Sequence, residues 1–332
     1  MWQELIRIPL PFDLPLVGDR LVIYGFGLML VVGFLLAMEL ARRLARQRGI
    51  DPEVFSNAAL LALLTGILGA RLSHVLENLS EYTRADRSLW ANLVAAANIS
   101  SGGLTYYGGF LLAFPTLLLY GRAKRIHLPT GMDVVAPCLM VGLAFGRLGC
   151  FLNGCCFGAA CALPWAVAFP YASPPYVDQF EAGKINPPPQ LVRVDARGER
   201  SLRELAELRQ AENGARLAIA ETQRSLPLHP AQLYSAFTAS LLAGLLVTHF
   251  RLPHAPGRTF ALMLMLEAAA RFSLELVRSE PPVLWGMSFS MAVSIPLVLL
   301  GALLWAIFGK LATARRGAAD ELIASGAARA AG

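Results

Sequence analysis

The stretch LVIYGFGLMLVVGFLLAMEL, residues 21–40, carries a single charge, Glu39, and runs directly into ARRLARQR, residues 41–48. A hydrocarbon core about 30 Å thick needs roughly 20 apolar residues in helical form. Here the apolar positions go all the way round the helix, with no polar face to turn toward water. The stretch therefore reads as a membrane span, and the four arginines behind it read as a group held at the membrane surface.

Six more stretches have the same character, near 54–77, 102–121, 132–152, 231–250, 258–277 and 287–309. Composition agrees, because the 332 residues are 55% hydrophobic and only 16% charged, with a mean hydropathy of +0.51. Soluble domains carry roughly a quarter charged residues, so a globular protein of this make-up would lack the polar surface to cover itself. The net charge of +6 does not indicate a nucleic-acid partner. The basic residues fall in short clusters between apolar runs and show no aromatic interleaving of the kind that stacks bases.

Those clusters set an orientation. ARRLARQR (41–48), GRAKR (121–125), RLPHAPGR (251–258) and GKLATARR (309–316) follow the first, third, fifth and seventh runs. The positive-inside rule places them in the cytoplasm, with the N-terminus outside and the C-terminus inside a bacterial inner membrane. MWQELIRIPLPFDLP (1–15) lacks the basic leader and small-residue cleavage site of a secretory signal, so the first run is expected to remain as a helix. The expected fold is an all-α polytopic membrane protein with seven transmembrane helices and a periplasmic head segment. Four helices fall in 1–154, the external segment is 155–228, three helices fall in 229–312, and a tail occupies 313–332. Within the external segment, RVDARGERSLRELAELRQAENGARLAIAETQR (193–224) reads as a short surface helix or a mobile insertion.

Arg71, Arg147, Glu267, Arg271, Glu275 and Arg278 lie within or at the ends of apolar runs. Each costs several kcal/mol at bilayer depth unless paired or hydrated, so each is a candidate for function, with snorkelling or a structural ion pair as the alternative. Glu267, Arg271, Glu275 and Arg278 recur on one helical face. Guanidinium grips phosphate bidentately, so a cavity lined by several arginines suggests an anionic phospholipid headgroup.

The motifs then resemble the prolipoprotein diacylglyceryl transferases of bacterial inner membranes. GRLGCFLNGCCFG (146–158) resembles that family's G-R-x-G-N-F-x-N-G-E-x-x-G signature and keeps Gly146, Arg147, Gly149, Phe151, Asn153, Gly154 and Gly158. IYGFGLML supplies Tyr24, LGARLSHVL resembles G-x-R-L-x-Y-V-L and supplies Arg71, and PWAVAFP follows the signature. HPAQLY resembles H-P-S-Q-L-Y and supplies His229, Gln232 and Tyr234, while RFSLELVRSEP supplies Arg271, Glu275 and Arg278 and MSFSMAVSIP opens the last helix. SSGGLTYYGG, with Gly102 and Gly103, stands where the family has H-G-G-L, with Ser101 in the histidine's place.

The resemblance implies transfer of diacylglyceryl from phosphatidylglycerol to the lipobox cysteine thiol of a prolipoprotein signal peptide, the first step of lipoprotein maturation, by a monomer without cofactor or metal. It implies catalytic roles for Arg147, Arg278, Tyr24 and Ser101, and substrate binding by Arg71, Gly102, Gly103, Asn153, Gly154, His229, Gln232, Tyr234, Arg271 and Glu275. With serine a poor base, the reaction is expected to rely on arginine electrostatics and on the acceptor thiol's own acidity. A transporter would favour duplicated halves, and no internal repeat is apparent. A phospholipid-binding paralogue that is silent or modifies another acceptor is the alternative suggested by Ser101 and Cys155.

Cysteines stand at 138, 150, 155, 156 and 161. The C-x4-C-C-x4-C run lacks the C-x2-C pairs usual in zinc and iron–sulfur sites, so no metal is assigned. A disulfide involving Cys161 and simple apolar packing both remain open.

Overall fold

The computed structural model describes residues 4–14, 18–83, 88–98, 103, 105–195, 198–210, 213–278 and 281–330, with backbone alone before residue 23, at 106 and after 314. An antiparallel hairpin, β1 (Glu4–Leu14) with β2 (Gly18–Tyr24), opens the chain. It takes the first four residues of the expected first span, because Val22 and Ile23 are β-branched and pair with Arg7 and Ile6. The helix begins at Gly25 and runs on through the arginine cluster as α1 (Gly25–Gln47), since Ala, Leu and Arg are good helix formers.

Asp51 then starts α2 (Pro52–Glu77): its side chain accepts from the Glu53 N–H and Pro52 fills the first turn. The short α3 (Leu79–Tyr82) and α4 (Leu89–Ala97) precede α5 (Tyr106–Ala123) and α6 (Leu128–Asn153). The 155–228 segment contributes α7 (Pro174–Glu181), strands β3 (Val192–Val194) and β4 (Arg200–Leu202), α8 (Leu205–Leu208) and α9 (Gly214–Thr222). The chain closes with α10 (Ala231–Arg251), α11 (Arg258–Glu275) and α12 (Phe289–Ala330).

Among the described residues, α1, α2, α6, α10 and the Phe289–Ala314 part of α12 are long and apolar enough to cross a bilayer. The expected third and sixth spans are helices of 18 residues, α5 and α11. The first is diluted by tyrosines, glycines and Pro115, the second by Arg258, Glu267, Arg271 and Glu275. Leu64, Leu68, Leu111, Leu119 and Leu299 are 62–70% exposed. So much apolar surface suits lipid and not water.

Helices α1 and α6, α2 and α5, α6 and α10, and α11 and α12 pack along one another. Small residues set the closest approach, as in membrane helix pairs generally. A β-carbon on Gly108 would lie 2.1 Å from Cβ of Ser73, and one on Gly69 would lie 2.4 Å from the Gly108 carbonyl oxygen. Contacts of Gly33 with Phe145 and of Gly149 with Phe26 run antiparallel. Consequently the start of α1 and the end of α6 share one end of the bundle. The end of α2 meets the start of α5, and the end of α6 meets the start of α10, in the same way.

At the opposite end Asp133, buried on α6, accepts from the N–H groups of Gly257 (2.7 Å) and Phe260 (3.0 Å) and lies 3.3 Å from His254 Nε2. A buried carboxylate is tolerated there because two otherwise orphaned donors of the first turn of α11 point at it.

The charged 193–224 stretch was expected as a surface helix or mobile insertion. It contains the short helices α8 and α9, and it packs with the preceding residues around a small core of Tyr171, Tyr176, Leu191, Leu208 and Ala220. Burial pushes the Tyr171 phenol up to about 12, keeping a proton to donate between the carbonyls of Leu191 (3.0 Å) and Arg203 (2.9 Å).

Gly108→Val should lower the thermal stability of the detergent-solubilised protein by about 1–3 kcal/mol through overpacking against Ser73. Gly66→Ala, whose new methyl meets nothing within 4 Å, should leave it unchanged or slightly raised. Equal unfolding temperatures for the two variants would contradict the close α2–α5 contact.

Candidate active site

The last turn of α6 ends at Gly154, left-handed at φ +80, whose N–H is shared between the carbonyls of Cys150 and Phe151. Glycine carries no penalty there. The next bond back, from Cys155 N–H to Cys150 O (3.1 Å), holds the turn against the helix. Beyond it, Gly158 N–H donates to His229 O (3.0 Å) and Ala159 N–H to Val277 O (2.9 Å). The chain thus passes between the start of α10 and the end of α11. A β-carbon at 158 would sit 2.7 Å from His229 Cβ and 2.8 Å from Val277 O, so only glycine allows this passage.

Three sequence-predicted residues of HPAQLY lie on that junction. Gln232 is fully buried and donates to the Cys155 carbonyl at 2.7 Å, fastening α10 to the signature turn. His229 Nδ1 is 3.3 Å from the Tyr234 hydroxyl, which also accepts from Trp165 Nε1 at 2.7 Å. Trp165 was not singled out from the sequence. The PWAVAFP motif was the only available signal, and nothing in it specified a partner 69 positions away.

The charged face of α11 meets the same end. Glu275, almost wholly buried, is 3.6 Å from Arg278 Nη1. Arg271 donates to Ser290 Oγ at 3.0 Å and feels the charges of Arg147, Arg278, Glu275 and Glu267. Three guanidiniums thus face two carboxylates, a local excess of positive charge. Among the described residues, Nη1 of Arg271 and both carboxylate oxygens of Glu275 are buried without a hydrogen-bond partner, an expensive state for charged groups. Arg271, Glu267 and Tyr234 also line a cavity of about 290 Å³ between α10 and α11.

On the signature turn, Asn153 reaches the Cys155 thiol. The Cys156 thiol is pushed down by hydrogen bonding with Cys150 and Cys155, aided by the positive charge of Arg147 and Arg278 and opposed by burial. Arg147, Asn153, Gly154, His229, Gln232, Tyr234, Arg271, Glu275 and Arg278 are therefore neighbours on one junction of α6, α10 and α11.

Arg71 and Gly103 form a second group on the α2–α5 pair. Arg71 is buried and donates to the carbonyls of Ala96 (2.7 Å), Ala95 (2.8 Å) and Gly103 (3.1 Å). A cation at the C-terminus of a helix, here α4, suits both the orphan carbonyls and the dipole. Gly103 has φ +72, and a β-carbon on it would come within 2.4 Å of His74 Nε2. Its lack of a side chain lets the imidazole reach the loop. His74 stands where the G-x-R-L-x-Y-V-L pattern has tyrosine, and that exchange was the available signal for it. Ser101 and Gly102 lie outside the described residues. Tyr24 is the residue before α1 and is 57% exposed, with no side-chain cap on the helix.

A family model described as prolipoprotein diacylglyceryl transferase matches residues 16–307. The chain is 29% identical over 294 residues to a phosphatidylglycerol–prolipoprotein diacylglyceryl transferase of Corynebacterium efficiens, covering 87% of this chain and 79% of that protein. It is 28% identical over 290 residues to the protein of that name from Bordetella parapertussis, covering 85% and 89%. A third, from Rhodopirellula baltica, is 35% identical over 163 residues, 48% of this chain and 32% of that protein. With a match from before Tyr24 to beyond Arg278, the chain belongs to the prolipoprotein diacylglyceryl transferase family.

Proposed function

We propose that this protein transfers the diacylglyceryl group of phosphatidylglycerol to the lipobox cysteine thiol of a prolipoprotein, working as a monomer in the bacterial inner membrane. Family membership supports the donor and the acceptor. The buried, unpartnered Nη1 of Arg271 beside the α10–α11 cavity carries the reading, because it is a charged donor waiting for an anion. Seven helices cross the membrane, N-terminus outside, so that the signature turn and the His229–Tyr234 junction face the periplasm with the folded 155–228 segment.

In this arrangement Arg147, Arg271 and Arg278 hold the phosphodiester, and Glu267 and Glu275 keep the arginines apart and partly neutralised. The acceptor sulfur attacks the glyceryl carbon bonded to the phosphate oxygen. A C–S bond forms as the C–O bond breaks, and glycerol phosphate leaves with its charge facing the guanidiniums. Tyr24, Asn153 and Tyr234 supply hydrogen bonds at headgroup level. Arg71 acts as a positioning residue, holding Gly103 and the end of α4. His74, against Gly103, is the imidazole that accepts the thiol proton in the absence of one at Ser101.

Reporter fusions after residues 50, 126 and 318 should all report cytoplasmic; a periplasmic signal at any of them contradicts the topology.

In a purified assay with phosphatidylglycerol and a lipobox peptide, Arg147→Lys should lower kcat/KM by about 100-fold, since a point charge lacks the bidentate fork. Near-full transfer by this variant would sink the clamp.

His74→Gln should lower kcat by about 100-fold with little change in KM for lipid, leaving a rate that climbs through the acceptor thiol's own range near about 8.5. Ser101→His should partly rescue it. An unchanged rate in His74→Gln would remove the imidazole from the mechanism.

A further inference from the structure

We propose that Cys150, Cys155 and Cys156 form a three-thiolate site for a thiophilic divalent cation of the Zn²⁺ class. Their sulfurs all lie within 4.8 Å of one another, and all three cysteines are free and only partly buried. Around a tetrahedral zinc with Zn–S of about 2.3 Å, sulfurs stand roughly 3.8 Å apart. Closing the group onto an ion therefore shortens each sulfur–sulfur separation by at most about 1 Å.

The backbone is already fixed for this. Gly154 turns the chain back at φ +80, Cys155 N–H returns to Cys150 O, and Gln232 pins the Cys155 carbonyl from α10. Cys156 itself is held at φ +58. A residue with a β-carbon is disfavoured in that conformation, and such strain concentrates at sites where a side chain must be aimed. Here it gathers the third sulfur with those of Cys150 and Cys155. The C-x4-C-C spacing hid this, because the juxtaposition comes from two left-handed residues and not from a C-x2-C knuckle.

Electrostatics favours the same conclusion. Three thiolates and a divalent ion leave one net negative charge, and the positive charges of Arg147 and Arg278 act on the Cys156 sulfur. Thiolates select soft and borderline cations over magnesium or calcium. Cys161 is not in the group, so three protein ligands leave one coordination position for water or another exogenous ligand, as in reactive zinc sites and unlike closed structural ones. A disulfide would use only two of the sulfurs. Neighbouring Cα atoms, about 3.8 Å apart, are also closer than the span of roughly 4.4–6.8 Å that a relaxed disulfide bridges, which disfavours a Cys155–Cys156 bond.

The reduced full-length protein in detergent, titrated anaerobically with Co²⁺, should take up one equivalent with the near-ultraviolet charge-transfer absorption of cobalt thiolates, and Zn²⁺ should displace it. X-ray absorption of the zinc-loaded protein should count three sulfurs at about 2.3 Å. C150S, C155S and C156S should each weaken Co²⁺ binding by at least about tenfold, with C161S unchanged. The absence of the charge-transfer band in folded wild-type protein would overturn the site. So would its survival in C155S/C156S, or a disulfide among the three residues in protein alkylated without reduction. The sulfur count on wild-type protein decides the matter even where a variant fails to fold.

Discussion

A guanidinium inside a bilayer must find an anion, and the structure is arranged around that requirement. Arg271 on the last turns of α11 and Arg278 just beyond its end, with Arg147 near the end of α6, share two carboxylates, Glu267 and Glu275. Full neutralisation would make a silent ion-pair cluster whose main effect is structural. An excess of one positive charge, and a buried guanidinium nitrogen with no partner among the described residues, set this cluster apart from such a pair.

Close helix contact follows from the same requirement. Low-dielectric surroundings strengthen a charged contact only where water is excluded, and that needs backbones closer than ordinary side chains permit. Glycines provide this at Gly69 and Gly108 between α2 and α5, and at Gly158, where the signature turn passes between His229 and Val277. The polar ends of α6, α10 and α11 are joined by hydrogen bonds to main-chain carbonyls. Gln232 to Cys155 and Ala159 to Val277 are two of these, so the charged cluster rests on backbone geometry and less on mobile side chains.

Arg71 shows why burial of a charge does not by itself specify a ligand. Its three described bonds go to carbonyls at the end of α4 and at Gly103. It therefore shapes the loop that His74 meets, whereas Arg271 retains an unused donor. Each arginine lies in an apolar run, Arg71 apart from other charges on its helix and Arg271 between Glu267 and Glu275, and what surrounds them in space sets them further apart.

The membrane class, the places of the long apolar helices and the identity of the arginine–glutamate face were legible in the order of residues. Each of these depends on local composition or on the 3.6-residue period, which neighbouring residues carry in full. The first helix started later than its apolar run because strand pairing with residues far up the chain, which composition does not encode, claimed Leu21–Tyr24. The charged 193–224 stretch likewise concealed a core, since Tyr171 and Tyr176 lie outside it and complete the burial of Leu208 and Ala220. The folded arrangement alone brings His74 to Gly103 and Trp165 to Tyr234, and gathers three cysteines where their spacing suggested no site. Those juxtapositions depend on helix crossings and on left-handed turns at Gly154 and Cys156, and distance along a chain says nothing about which atoms such a turn brings face to face.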